Sequence, residues 1–225
     1  MNNNFAAHLD NPSHPFLTCD NWFTPEEEKM VWKELDLYTS ERTLDHASKG
    51  PVATDAEGEI LASNFRIYPD MIYNDSFRNM SPILRGKDEK LTTHELKDFI
   101  SKNMLPGPFG QFAYCNSDSS LISYYHKGDY YKPHLDTFQF TILIWFYKEP
   151  KAFTGGDFHF TDAKISVPCV HNRMIIFPSF LNHAVTPLEF EEEKPLGWGR
   201  YTITHFFYST PNTVYTPPSE RKDNG

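Results

Sequence analysis

Cysteine is scarce. The three residues Cys19, Cys115 and Cys169 cannot all pair, and no CxxC occurs. This speaks against a disulfide framework and a zinc knuckle, and favours free thiols in a reducing compartment. Positive charge is short too. With 21 Lys and Arg against 30 Asp and Glu, the net charge is −9. A nucleic-acid backbone as main partner would need the opposite surplus. Long apolar runs are missing: the longest, Phe138 to Tyr147, is broken by Gln139 and Thr141 and is too short to cross a bilayer. The opening Met1-Asn2-Asn3-Asn4-Phe5-Ala6-Ala7-His8 has no basic region and no apolar stretch, so it does not read as a secretory signal. The expectation is a soluble, cytoplasmic protein with neither a nucleic-acid nor a membrane partner.

What is abundant is aromatic. Phe, Tyr and Trp make up 16% of 225 residues, with 17 Pro and 11 Gly to punctuate turns. That composition favours strands. Helical signals gather in the N-terminal part. Thr24-Pro25-Glu26-Glu27 is a capping box with Pro at the first helical position, followed by Val31, Leu35 and Tyr38 at helical spacing. Thr92-Thr93-His94-Glu95 reads as a second capping box, opening a helix through about Met104. Glu41 to Ser63 reads as a long loop of small and polar residues. From Phe109 onward, short apolar runs recur: Leu121 to Tyr125, Phe138 to Tyr147, Asp157 to Phe160, Met174 to Phe177 and Tyr201 to Tyr208. Their spacing predicts a sandwich or barrel. No linker is evident, so residues 1–225 read as one domain: helical support over about 1–108, a β core over about 109–210, and an extended tail over 211–225.

His134 and Asp136 stand two apart on one of these strands and so share a face. An HxD pair alone is unspecific. His183 follows a turn after the strand ending at Phe177, and an antiparallel sandwich would return it beside the pair. Two His and one carboxylate on one side of a metal suit non-haem Fe(II), while the ligand count alone leaves zinc open. On the last strand, Arg200, Thr202 and Thr204 share one face. A guanidinium buried there needs an anionic partner, such as a carboxylate ligand on the metal side.

These segments together resemble a family. Tyr125-His126-Lys127-Gly128-Asp129-Tyr130-Tyr131-Lys132-Pro133-His134-Leu135-Asp136 is similar to the YxxGxxYxPHxD signature of the prolyl 4-hydroxylase branch of the 2-oxoglutarate and Fe(II)-dependent dioxygenases. Gly155-Gly156-Asp157-Phe158, Arg173 to Ser179, His183 to Pro187 and Arg200 to Thr204 resemble that family's later motifs. The resemblance implies a mainly β protein with flanking helices, its core a double-stranded β-helix (a cupin-like jelly roll). It implies Fe(II) on His134, Asp136 and His183. It further implies 2-oxoglutarate with its distal carboxylate on Arg200, aided by Tyr125 and Thr204, and ascorbate beside them. The activity implied is hydroxylation of prolyl residues in a peptide or protein, with release of succinate and CO₂. The iron and cosubstrate motifs are shared across substrate classes, so a free amino acid or small metabolite stays open as substrate, as does a non-catalytic jelly-roll module.

Two features depart from the family pattern. Arg200 follows His183 by seventeen residues where about ten is usual, which leaves Lys194 as a second candidate. Asn172 stands where Gly often precedes the FPS strand. His126, His159, His171 and His205 read as ordinary strand or turn histidines, and His205 should point away from Arg200. Tyr131 reads as a packing residue, and Trp145 and Trp198 read as core or rim, or as walls of a peptide groove.

Overall fold

A computed structural model describes residues 4–40, 54, 57–73 and 76–210. Most of the expected loop 41–63 and the whole tail 211–225 lie outside the described residues.

Helix α1 (Pro25–Tyr38) begins where expected. The Thr24 side chain accepts from the Glu27 amide and the Glu27 carboxylate accepts from the Thr24 amide. Its buried stripe is Val31, Leu35 and Tyr38, together with Glu34. Glu34 is tied down by the Tyr38 hydroxyl at 2.6 Å, the Ser81 hydroxyl at 2.7 Å and the Ile83 amide at 3.1 Å. Those last two partners sit at the start of a helix the sequence reading did not find. After the one-turn α2 (Pro69–Ile72), α3 spans Pro82–Leu91, and α4 spans His94–Asn103. The second capping box is not one. Thr92 closes α3, and Thr93 caps α4 by accepting from the Leu96 amide.

The N-terminal region is not helical support alone. Strands β1 (Asn4–His8), β2 (Phe16–Asp20), β3 (Ala62–Ser63) and β4 (Phe65–Ile67) join sheets built mainly from later strands. Those are β5 (Ser117–Tyr125), β6 (Tyr130–His134), β7 (Phe140–Phe146), β8 (Phe153–Gly155), β9 (Phe158–Phe160), β10 (Ile165–Val167), β11 (Arg173–Pro178), β12 (His183–Val185), β13 (Leu188–Phe190) and β14 (Arg200–Tyr208). The major sheet runs β1-β2-β11-β7-β14-β5-β4 and the minor sheet β10-β9-β12-β6-β3. Every pairing is antiparallel. This is the double-stranded β-helix, mainly β with helices outside.

Two cores explain the strand sequences. Ile142, Ile144 and Phe146 of β7 turn toward the helices and pack with Val31, Leu35 and Ile83. Leu143 and Trp145 alternate to the other face, inside the roll, with Phe158, Phe177 and Leu188. Both faces are covered, so all of β7 is buried. The three cysteines are unpaired. Among the described residues, no helix is long and apolar enough to cross a membrane.

Candidate metal centre and a buried arginine

Strand register assembles the centre. His183 of β12 is the direct cross-strand partner of His134 of β6, and Asp136 follows just beyond β6. His134, Asp136 and His183 each present one ligand atom, and these atoms lie within 4.8 Å of one another. Both imidazoles are held in one tautomer. His134 Nδ1 donates to the Lys132 carbonyl at 2.9 Å and His183 Nδ1 to the Leu181 carbonyl at 2.8 Å. Each Nε2 is left as a lone-pair donor facing the carboxylate, at 3.7 Å from Asp136 Oδ1 and 3.5 Å from Oδ2 respectively.

Packing fixes the rings. Tyr131 stacks on His134 with centroids 3.6 Å apart, and Phe158 and Phe177 enclose His183 at 5.3 and 5.0 Å. The Arg66 guanidinium of β4 covers the Tyr131 ring at 5.6 Å. Thr141, fully buried, donates to Asp136 Oδ2 at 2.6 Å and shares a 2.8 Å hydrogen bond with Ser179.

The electrostatics fit a cation. Burial, then the neighbouring His183, push the His134 imidazole down to about 4, and burial does the same to His183. Burial raises the Asp136 carboxyl, against the pull of His134 and Thr141. Two neutral imidazoles and a carboxyl short of positive charge are a donor set that a divalent ion completes. Among the described residues no other group of three such side chains forms, and His126, His159, His171 and His205 stay apart from it. His205 does face away: its Nδ1 meets the Ser120 hydroxyl at 2.9 Å.

The second half of the pocket is built by β14. Arg200 pairs with Tyr125, Thr202 with Ser123 and Thr204 with Leu121 across β5, and all six line one cavity with His134, Asp136 and His183. Arg200 is 0% exposed. Its guanidinium lies between the rings of Tyr125 at 5.1 Å and Trp145 at 5.5 Å. Among the described residues, none of its three nitrogens has a hydrogen-bond partner. The nearby Cys169 thiol is a weak acceptor and leaves the charge uncompensated. The Thr202 hydroxyl and the Trp145 indole N–H are likewise buried without partners. A buried cation and two buried polar groups left open define a place for an anion. The alternation on the last strand had placed Thr202 on the face of Arg200 without giving it a role, and Trp145 had read as core, rim or groove wall and not as part of the anion site.

The irregular spacing to Arg200 has a structural cause. β13 pairs with β8, an added ladder between β12 and β14. Lys194 lies beyond it, 3.6 Å from Glu192, away from the cavity. The chain then returns through Gly199, where a Cβ would stand 2.0 Å from the Tyr125 carbonyl oxygen. Only glycine lets β14 start this close to β5. Asn172, at φ +55°, makes the left-handed turn that glycine would make, and its side chain bonds the Phe23 backbone.

Residues 120–208 match the 2OG-Fe(II) oxygenase superfamily. They hold the three ligand candidates and Arg200, and the match supports 2OG-Fe(II) oxygenase activity with iron and 2-oxoglutarate. Among solved structures the chain is similar to a Pseudomonas putida prolyl-4-hydroxylase, at 14% identity and TM-score 0.53, covering 90% of this chain and 96% of that one. It is also similar to a viral collagen prolyl hydroxylase of Paramecium Bursaria Chlorella virus-1 (11%, TM-score 0.52, 87% and 96%). A prolyl 4-hydroxylase of Phytophthora capsici gives 17% and TM-score 0.52, with 93% of this chain and 62% of that one covered. At such identities the likeness is one of fold. No curated protein matches the chain.

Proposed function

We propose that this protein is a 2OG-Fe(II) oxygenase that hydroxylates prolyl residues in a peptide or protein. The observation that carries the cosubstrate half of the reading is Arg200: a fully buried guanidinium with no partner, in the same cavity as the two histidines and the aspartate. His134, Asp136 and His183 would hold Fe(II), and Arg200 the distal carboxylate of 2-oxoglutarate, with Thr202, Thr204 and Tyr125 around it. Bound together, iron and 2-oxoglutarate supply O₂-dependent oxidation of a C–H bond, with succinate and CO₂ released.

The chain's own part is orientation. The Lys132 and Leu181 carbonyls keep both Nε2 atoms aimed at one point, and Thr141 fixes the rotamer of Asp136. The Tyr125 and Trp145 rings flank the guanidinium and leave its edge for a bidentate carboxylate. The peptide-proline half rests on the motif resemblance and on fold neighbours that are prolyl hydroxylases.

Succinate release is to be measured with Fe(II) and 2-oxoglutarate, with and without ascorbate, against blocked proline peptides and free proline. The expected result is peptide-stimulated succinate and a single added oxygen on proline by mass spectrometry. Added oxygen on free proline but on no peptide would overturn the peptide reading and leave the oxygenase.

A further inference from the structure

Strand β14 changes character along its inner face. Arg200, Thr202 and Thr204 are buried and polar, whereas Phe206 and Tyr208, at the other end, are aromatic and half-exposed. The loop after β6 adds Phe138, whose ring stacks on Phe206 at 4.3 Å and 23° and meets Tyr208 at 5.4 Å. Phe206 also lines the cavity that holds the metal-ligand candidates. The Phe138–Phe206–Tyr208 stack is therefore one ledge that begins inside the pocket and ends at the surface.

Two further apolar side chains border it. Leu135, between His134 and Asp136, is 58% exposed, and Phe180, in the turn before His183, is 60% exposed. Backbone hydrogen bonds stitch these segments together: Asp136 N to Ser179 O at 3.1 Å, Ser179 N to Gln139 O at 3.0 Å and Gln139 N to Phe207 O at 3.0 Å. Segments 135–139, 178–182 and 204–208 contain no Lys, Arg or Glu, and their one Asp is the ligand candidate Asp136. Apolar groups this large are seldom left exposed side by side without a binding role.

We propose that this ledge grips the primary substrate, and that the residues flanking the oxidised one are apolar and uncharged. The proposal takes its location from the oxygenase reading above. The ledge is continuous with the metal pocket, so a substrate reaching the metal along this side lies across it. A charged flank would lose its water against Phe138 and Phe206 and find no counter-charge on the ledge. An extended peptide with apolar neighbours would bury both rings at little cost in entropy. Phe138 is the aromatic anchor, and it acts on affinity for the substrate and on nothing at the metal.

The test measures binding, not turnover. Protein loaded with Zn(II) and 2-oxoglutarate is titrated with two blocked pentapeptides of central proline, one flanked by Phe and Leu, the other by Lys and Glu. Isothermal titration should show the apolar peptide binding at least about tenfold more tightly, Phe138→Ala removing about tenfold of that affinity and Phe138→Trp retaining it. Titration of 2-oxoglutarate alone should be unchanged in both variants. Equal or tighter binding of the charged peptide, no binding of either, or no effect of Phe138→Ala would overturn the ledge. A wild-type protein that binds the apolar peptide but not 2-oxoglutarate would leave the ledge standing and sink the cosubstrate reading.

Discussion

Arg78 and Arg200 are both drawn out of solvent, and their surroundings differ completely. Arg78, with its side chain 23% exposed, is ringed by Asp70 at 2.7 Å, Asp88 at 3.0 Å and Asp118 at 3.1 Å. Lys87 joins the same cluster through Asp118 and Asp88. Arg200 is more deeply buried, and among the described residues no carboxylate pairs with it. The first arrangement is complete in itself. It joins the short 3₁₀ turn Arg78–Met80 to α2, α3 and β5, and its reward is stability. The second is incomplete, because desolvating a guanidinium without an anion is costly. Fold energetics alone would have replaced it. A cation that the fold tolerates but does not satisfy marks where function takes precedence over stability.

The largest effect should come from the metal side of the Arg200 cavity. His134→Ala or His183→Ala should abolish Fe(II) binding and turnover together, read by metal titration and succinate release. Full activity with either residue gone would remove the triad from the site.

Next is the comparison itself. Arg200→Met should weaken 2-oxoglutarate about ten- to a hundredfold while metal binding persists. Its ligand-free melting temperature should hold or rise, since an uncompensated buried cation has been exchanged for an apolar chain. Arg78→Met should do the reverse. It should leave 2-oxoglutarate affinity within about twofold and destabilise the fold by roughly 2 kcal/mol or more, because three carboxylates lose their shared donor. Thermal unfolding with and without 2-oxoglutarate reads both. Equal behaviour of the two variants would erase the distinction.

The smallest effect lies at the edge of the Arg78 cluster. His205 is fully buried, and burial, then Lys87 and Arg78, hold its imidazole well below 6.5. Below pH 6.5 the unfolded chain takes up a proton at this position that the folded chain refuses. Stability from this group is therefore undiminished above pH 6.5 and falls as pH drops below it. His205→Gln, which can keep the bond to Ser120, should flatten the wild-type decline in melting temperature between pH 6.5 and 5. An unaltered slope would show that His205 does not contribute to it.

How much of this was readable in advance follows the range of the interactions. Thr24 and Glu27 cap α1 through neighbours, and local spacing found them. The alternation on β14 located Arg200 from three residues of sequence. What escaped depended on distant partners. β2 is a strand because Leu17 and Cys19 pair with β11, more than 150 positions away. α3 carries Gly86 and a buried Lys87 on what should be its apolar face, so its periodicity is blurred. The long spacing before Arg200 had no local explanation because the partner of β13 lies in β8.

The pairing of His134 with His183 has a consequence in chain topology. These residues are about 50 positions apart, and the segment between them carries β7 through β11. An ion held by both would close that segment into a ring, as a crosslink does, and would restrict the unfolded ensemble more than the folded one. In a chain whose cysteines are all free, the metal would thus be a reversible staple across the middle of the jelly roll.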